Sequence, residues 1–87
     1  MSYFAAILLM KNPELNATYR AEHLAYLEQL EANGNIFAKG PFVDGAGGLV
    51  IYKADSFEEA KKLAEADPYV IQGVRTLQLH EWGMVQS

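Results

Sequence analysis

Cysteine is absent from this 87-residue chain. That excludes a disulfide framework, thiolate catalysis and cysteine-ligated metals. A basic cluster is absent too. The seven Lys and Arg are scattered and the formal net charge is −4, so neither nucleic acid nor an anionic membrane surface is expected as a partner. Serine is scarce: Ser2 and Ser87 lie at the ends of the sequence and Ser56 reads as a helix cap, so no serine nucleophile is indicated. The two histidines, His23 and His80, lack a matching carboxylate spacing for a metal, and none is expected. No long hydrophobic run occurs either. "YFAAILLM" is too short to span a bilayer and lacks the basic segment and cleavage site of a signal peptide, so it reads as a strand. The expectation is a soluble cytoplasmic protein.

What the chain does have is apolar residues, at 51% against 21% charged. One small domain, residues 1–87, cannot easily hide that much, because a chain of this size buries only about 60–65% of its unfolded surface. Either its interior is dense or part of it is covered by a partner.

"SYFAAILLMK" is apolar at both odd and even positions, as in a strand covered on both faces. "YRAEHLAYLEQLEANG" has helical spacing. Tyr19, His23, Tyr26, Leu27 and Leu30 form one stripe, and Gly34 is the expected stop. "NIFAKG" is a short strand, "PFVDGAGG" a turn-rich connection and "LVIYK" a second strand apolar on both parities. Gly45, Gly47 and Gly48 read as a flexible hairpin connection; they match neither a dinucleotide fingerprint nor a P-loop. Ser56 and Glu59 have capping-box spacing at the head of a second helix. A connection from Asp67 to about Arg75 leads to the last strand, "TLQLHEWGMV".

The order is βαββαβ, an α+β ferredoxin-like plan with a four-stranded antiparallel sheet. The strands apolar on both faces, the first and third, belong at its centre. Two helices cover one face, so the other is expected to be covered by a second copy, giving a homodimer.

Two readings are open for His23: a core histidine bonded to a backbone carbonyl, or half of an acid–base pair. Asp67 before Pro68 has the form of an N-cap followed by N1. It also follows the C-terminus of the second helix, whose dipole repels an anion unless a cation is near. The two helices share a sheet face, so His23 and Asp67 could meet. A carboxylate on one imidazole nitrogen would fix the tautomer and make the other nitrogen a better base. Arg20, one turn before His23, reads either as a solvated charge pairing with Glu14 or Glu22, or as an anchor for an anionic substrate. Gly40-Pro41-Phe42 could place Phe42 over a pocket. Tyr26, Tyr69 and Trp82 read as packing by pattern, and His80 as a surface or interface residue.

Taken together, "RAEHLAYLEQL", "GNIFAKGPF" and "GGLVIYKADSFEEAKKLAEADPYVIQGV" resemble the YciI-like (YCII-related) family of small bacterial proteins. The resemblance implies a ferredoxin-like fold paired into a dimeric α+β barrel. It implies an active site on a helix-one histidine and the aspartate of a D-P-[YF] step, here His23 and Asp67. Gly40, Pro41 and Phe42 would form pocket wall; Arg20 and Tyr69 are candidates for binding substrate apart from the resemblance. Some relatives act as lyase- or isomerase-like enzymes in the breakdown of aromatic compounds. The resulting expectation is an enzyme that works without a cofactor, using a His23–Asp67 dyad to move a proton on a small cyclic or unsaturated metabolite. The alternative is a non-catalytic ligand-binding or structural dimer in which the pair only stabilises the fold.

Overall fold

The computed structural model describes residues 1–86. Its elements run β1 (Ser2–Met10), a single 3₁₀ turn (Pro13–Leu15), α1 (Asn16–Ala32), β2 (Ile36–Pro41), β3 (Gly47–Ala54), α2 (Phe57–Glu65), α3 (Pro68–Ile71) and β4 (Arg75–Trp82). The strands form one antiparallel sheet in the order β2-β3-β1-β4. This is the expected βαββαβ plan with β1 and β3 central, plus one short helix in the connection before β4.

The alternation of the strands decides what faces the helices. On β1, Phe4, Ala6 and Leu8 are buried under the helical layer, and Tyr3, Ala5, Ile7 and Leu9 are half-buried on the opposite face. Phe4 pairs with Tyr52, Ala6 with Val50 and Leu8 with Gly48, so β3 continues the same buried rows. Leu27 and Leu30 of α1, and Ala60 and Ala64 of α2, close the core over them. Alanine on both α2 positions and at Ala54 lets that helix lie close to the sheet.

Local signals terminate the elements. Ser56 accepts a hydrogen bond from the Glu59 N–H at 3.1 Å, which caps α2. At the end of α1, Asn35 N–H donates to Leu30 C=O and Gly34 N–H to Glu31 C=O, with Gly34 at φ 82°. That is the Schellman pattern, and it needs the left-handed residue that glycine supplies.

The expectation of a flexible connection fails for two of the hairpin glycines. Gly47 and Gly48 are buried and open β3. Gly47 has φ 143°, and a Cβ there would overlap the carbonyl oxygen of Leu8 on β1. The two central strands approach too closely at this point for any side chain. Gly45, at φ 82°, has open space around it. Gly47→Ala should therefore destabilise the fold by about 2 kcal/mol or more, and Gly45→Ala by only about 1–2 kcal/mol from its left-handed backbone. Urea unfolding of the two variants side by side checks the order; equal losses would remove the close-approach argument.

Candidate functional site

The site is built where α1, α3 and the adjoining ends of β1, β3 and β4 converge. Asp67 follows the last turn of α2 and is the N-cap of α3, accepting from Tyr69 N–H at 2.9 Å. Pro68 at the first helical position fits, since that residue's N–H would have no intrahelical partner. The cap holds the carboxylate where α1 passes. His23 Nδ1 lies 2.7 Å from Asp67 Oδ1 and 3.0 Å from Oδ2. Asp67 is completely buried and His23 nearly so. Both sequence readings of Asp67 thus describe one geometry, in which it caps the helix behind it and faces the histidine.

An ionised carboxylate can only accept, so Nδ1 carries the proton of the neutral imidazole. That leaves Nε2 with its lone pair. Among the described residues no group bonds to Nε2. The imidazole also stacks on Tyr69, with ring centroids 4.0 Å apart and planes 13° from parallel. Tyr69 is fixed in turn by its hydroxyl, which donates to the Asn16 carbonyl at 3.2 Å. Burial raises the Tyr69 phenol above its ordinary value, opposed by Arg75 and Arg20 and assisted by Asp67. Burial, with the Asp67 charge behind it, likewise raises Tyr26, whose hydroxyl donates to the Leu63 carbonyl at 2.7 Å. Tyr52, deep in the core, is pushed up more strongly, first by burial and then by Asp67 and Tyr26. All three therefore stay protonated donors at neutral pH.

His23 lines a cavity of about 270 Å³. Leu8, Leu27 and Val50 give it apolar walls, and Gly40 and Pro41 border it from β2. Arg20 and Tyr69 also line it. Phe42 does not: it borders a shallow depression on the other face of the sheet, beside Leu49 and Ile51. The register explains the difference. Pro41 pairs with Gly48 of β3, and Phe42, whose N–H still donates to the Gly47 carbonyl at 2.8 Å, has its side chain on the opposite face. Arg20 forms no ion pair among the described residues, so the pairing with Glu14 or Glu22 is not made. His80 is exposed on β4 opposite Ala5, on the face away from the helices.

Arg75 and Lys39, both lining the cavity, escaped the sequence reading. Arg75, the first residue of β4, reaches over the Tyr69 ring at 4.3 Å and donates from Nη2 to Asn16 Oδ1 at 3.0 Å. Its parity is that of Leu77 and Leu79, which marks it as an arginine on a core-facing position. That signal was available in the sequence. Burial lowers the Arg75 value, with Tyr69 and Asp67 acting the other way. No group of three or more His, Cys, Asp or Glu that could hold a metal is found among the described residues. No described helix is long and apolar enough to cross a membrane.

Residues 2–83 match the YCII-related domain. The chain belongs to the YCII-related family. It is 36% identical over 80 residues to the uncharacterized protein YjpA of Bacillus subtilis, covering 92% of this chain and 94% of that one. It is 39% identical over 71 residues to the protein YciI of Escherichia coli O6:H1, covering 70% and 72%. Among solved structures it resembles 5-chloro-2-hydroxyhydroquinone dehydrochlorinase (TftG) from Burkholderia phenoliruptrix AC1100, in complex with 2,5-dihydroxybenzoquinone. The TM-score is 0.80 at 26% identity, over 92% of each chain. The YCII-related fold of this chain is thus shared with an enzyme.

In this family member Asp67 carries two separable loads, the cap and the imidazole. Asp67→Ala removes both and should cost about 3 kcal/mol, summing a charge-assisted hydrogen bond and a helix cap. Asp67→Asn keeps a capping oxygen for Tyr69 N–H and should cost about half as much. Chemical denaturation of the three proteins measures the difference; an Asp67→Ala protein as stable as wild type would show that neither bond stabilises the fold.

Proposed function

We propose that this chain is a small-molecule enzyme in which His23 Nε2 is the general base and Asp67 its positioning partner. The observation that carries the reading is the asymmetry of the imidazole: Nδ1 is held by a fully buried carboxylate, and Nε2 is free on a residue that lines the cavity. A nitrogen so oriented takes a proton from a C–H or O–H of a bound molecule, and the resulting imidazolium is stabilised by Asp67. The electron pair left behind forms a new π bond. In an isomerisation the same proton returns at another atom; in an elimination a leaving group departs with its bonding pair. The likeness to a dehydrochlorinase supports this class of lyase- or isomerase-type proton transfer on a small cyclic or unsaturated metabolite. Arg20, on the cavity wall without an ion-pair partner, would orient a carboxylate or phenolate. A purely structural His–Asp pair has no need of a cavity beside it, which weighs against the non-catalytic alternative.

A panel of small enols and hydroxylated rings, 5-chloro-2-hydroxyhydroquinone included, tests the reading with wild type and His23→Ala in parallel. Wild type should convert at least one member about 10²-fold or more faster than the variant, the usual contribution of a positioned base. Asp67→Asn should be slow as well, because an amide N–H aimed at Nδ1 moves the ring proton to Nε2. Equal conversion by wild type and His23→Ala across the panel would remove His23 from the chemistry.

The helix-free face of the sheet supports a second proposal, the homodimer. Tyr3, Ile7, Leu9 and Leu49 lie half-buried there, and Tyr3 packs edge-on to the exposed Phe37 at 5.0 Å. A second copy laid on this face would bury on the order of 2,000 Å² in total. Sedimentation at micromolar concentration should give a dimer, and a stable monomer there would sink the proposal.

A further inference from the structure

The charges around the cavity do not balance. The chain carries a net −4, yet three of its seven basic side chains, Arg20, Lys39 and Arg75, line this one cavity, and among the described residues no carboxylate lines it. Lys39 is neutralised by Glu31, 3.0 Å away at the exposed rim. Arg20 and Arg75 have no acidic partner among the described residues.

Arg75 is the better placed of the two. A guanidinium has five N–H donors in a rigid fork. Here Nη2 is spent on Asn16, and Nε is sealed from solvent with no acceptor. Nη1 has no acceptor among the described residues either, and it is not sealed. Its surroundings keep space for it. A Cβ on Gly48 would come within 3.0 Å of Nη1, so the absent side chain at Gly48 is where the guanidinium end sits. Asn16 and Tyr69 hold the group in place by a hydrogen bond and a cation–π contact. A fixed, under-satisfied cation in a partly desolvated wall costs free energy until an anion reaches it.

We propose that Arg75, beside Arg20, is an anion-binding residue of this cavity, and that its ligand is a small organic anion with an apolar body, whose carboxylate, phenolate or enolate oxygen sits on Nη1. Leu8, Leu27 and Val50 receive the apolar body. Arg75 and His23 both line this cavity, so an anion on Nη1 has its body in the space that His23 borders. The inference rests on the reading of this cavity as a ligand site given above, and not on the proton chemistry assigned to His23.

The guanidinium N–H resonances of Arg75 report on it directly. ¹H–¹⁵N spectra of the labelled full chain are followed while sodium benzoate, neutral benzamide or sodium chloride is added at millimolar concentration. Benzoate should move the Arg75 signals saturably; benzamide, and chloride at equal ionic strength, should not. The response should persist in His23→Asn. In Arg75→Gln the benzoate affinity, read from the Gly40 and Gly48 amides, should fall about tenfold or more, as expected for loss of a charged hydrogen bond. Arg75 signals unmoved by benzoate, or moved equally by benzamide, overturn the proposal, as does an Arg75→Gln protein with wild-type affinity. If Arg75→Gln does not fold, the wild-type spectra decide alone. A panel without turnover would refute the role of His23 and leave these shifts intact, so the two failures are distinguishable.

Discussion

A carboxylate with no exposed surface must be met by donors, or it would be protonated or expelled. Asp67 is such a group, and the arrangement around it follows from satisfying it. Tyr69 N–H comes from the turn that Asp67 itself starts, so α3 exists as a cap-and-proline unit of four residues, Pro68–Ile71. His23 comes from α1, 44 positions earlier, and its bond to Asp67 fixes how α1 sits against the α2–α3 junction. The chain after α3 is tied down by the same local order. Val74 N–H donates to the Tyr69 carbonyl, and the Val74 carbonyl accepts from Lys11 and Asn12 beyond the end of β1. Asn16, one turn further on, then receives both Tyr69 and Arg75. A short helix that would not persist alone is held at every side by partners distant in sequence.

The cavity adjoins the apolar core, and Leu8, Leu27 and Val50 belong to both. Phe4, Tyr52, Ala54 and Ala60 pack tightly in the core, while Leu8, Val50 and Gly48 on the same strands face the cavity. The change from filled to open occurs within four positions along β3, from Tyr52 through Val50 to Gly48. Side-chain size along one strand face sets it: a tyrosine fills the layer, and a glycine leaves room for Arg75.

The sheet order was legible because central strands are covered twice, and "YFAAILLM" and "LVIYK" carry apolar residues on both parities. His23 was legible as a polar member of an otherwise apolar stripe, and Asp67 as an anion after a helix end. The functional end was less so. Gly47 and Gly48 look like loop glycines until β1 is laid against them, because close backbone approach is a property of the pair of strands. Phe42 follows a Gly-Pro step that does border the cavity, but the sheet puts the next side chain on the opposite side. Arg75 could have been found from its parity with Leu77 and Leu79. What no local pattern holds is its partner, Asn16, since that contact spans 59 residues.

The electrostatics of the site suit one particular event. Moving a proton from a neutral group of a ligand to His23 Nε2 creates two charges, an imidazolium and a ligand anion. In water each would be stabilised by solvent reorganisation; in a cavity the stabilising charges must already be in place. Asp67, 2.7 Å from Nδ1, answers the imidazolium. Arg75, which lines the same cavity, would answer the anion in the proposal above. Each is held by bonds that do not depend on a ligand: Asp67 by the α3 cap, and Arg75 by Asn16 and Tyr69. The cost of desolvating Asp67 fully and Arg75 in part falls on folding, where the core and the caps offset it. The proposed proton transfer would then separate charge between two groups whose partners are already fixed.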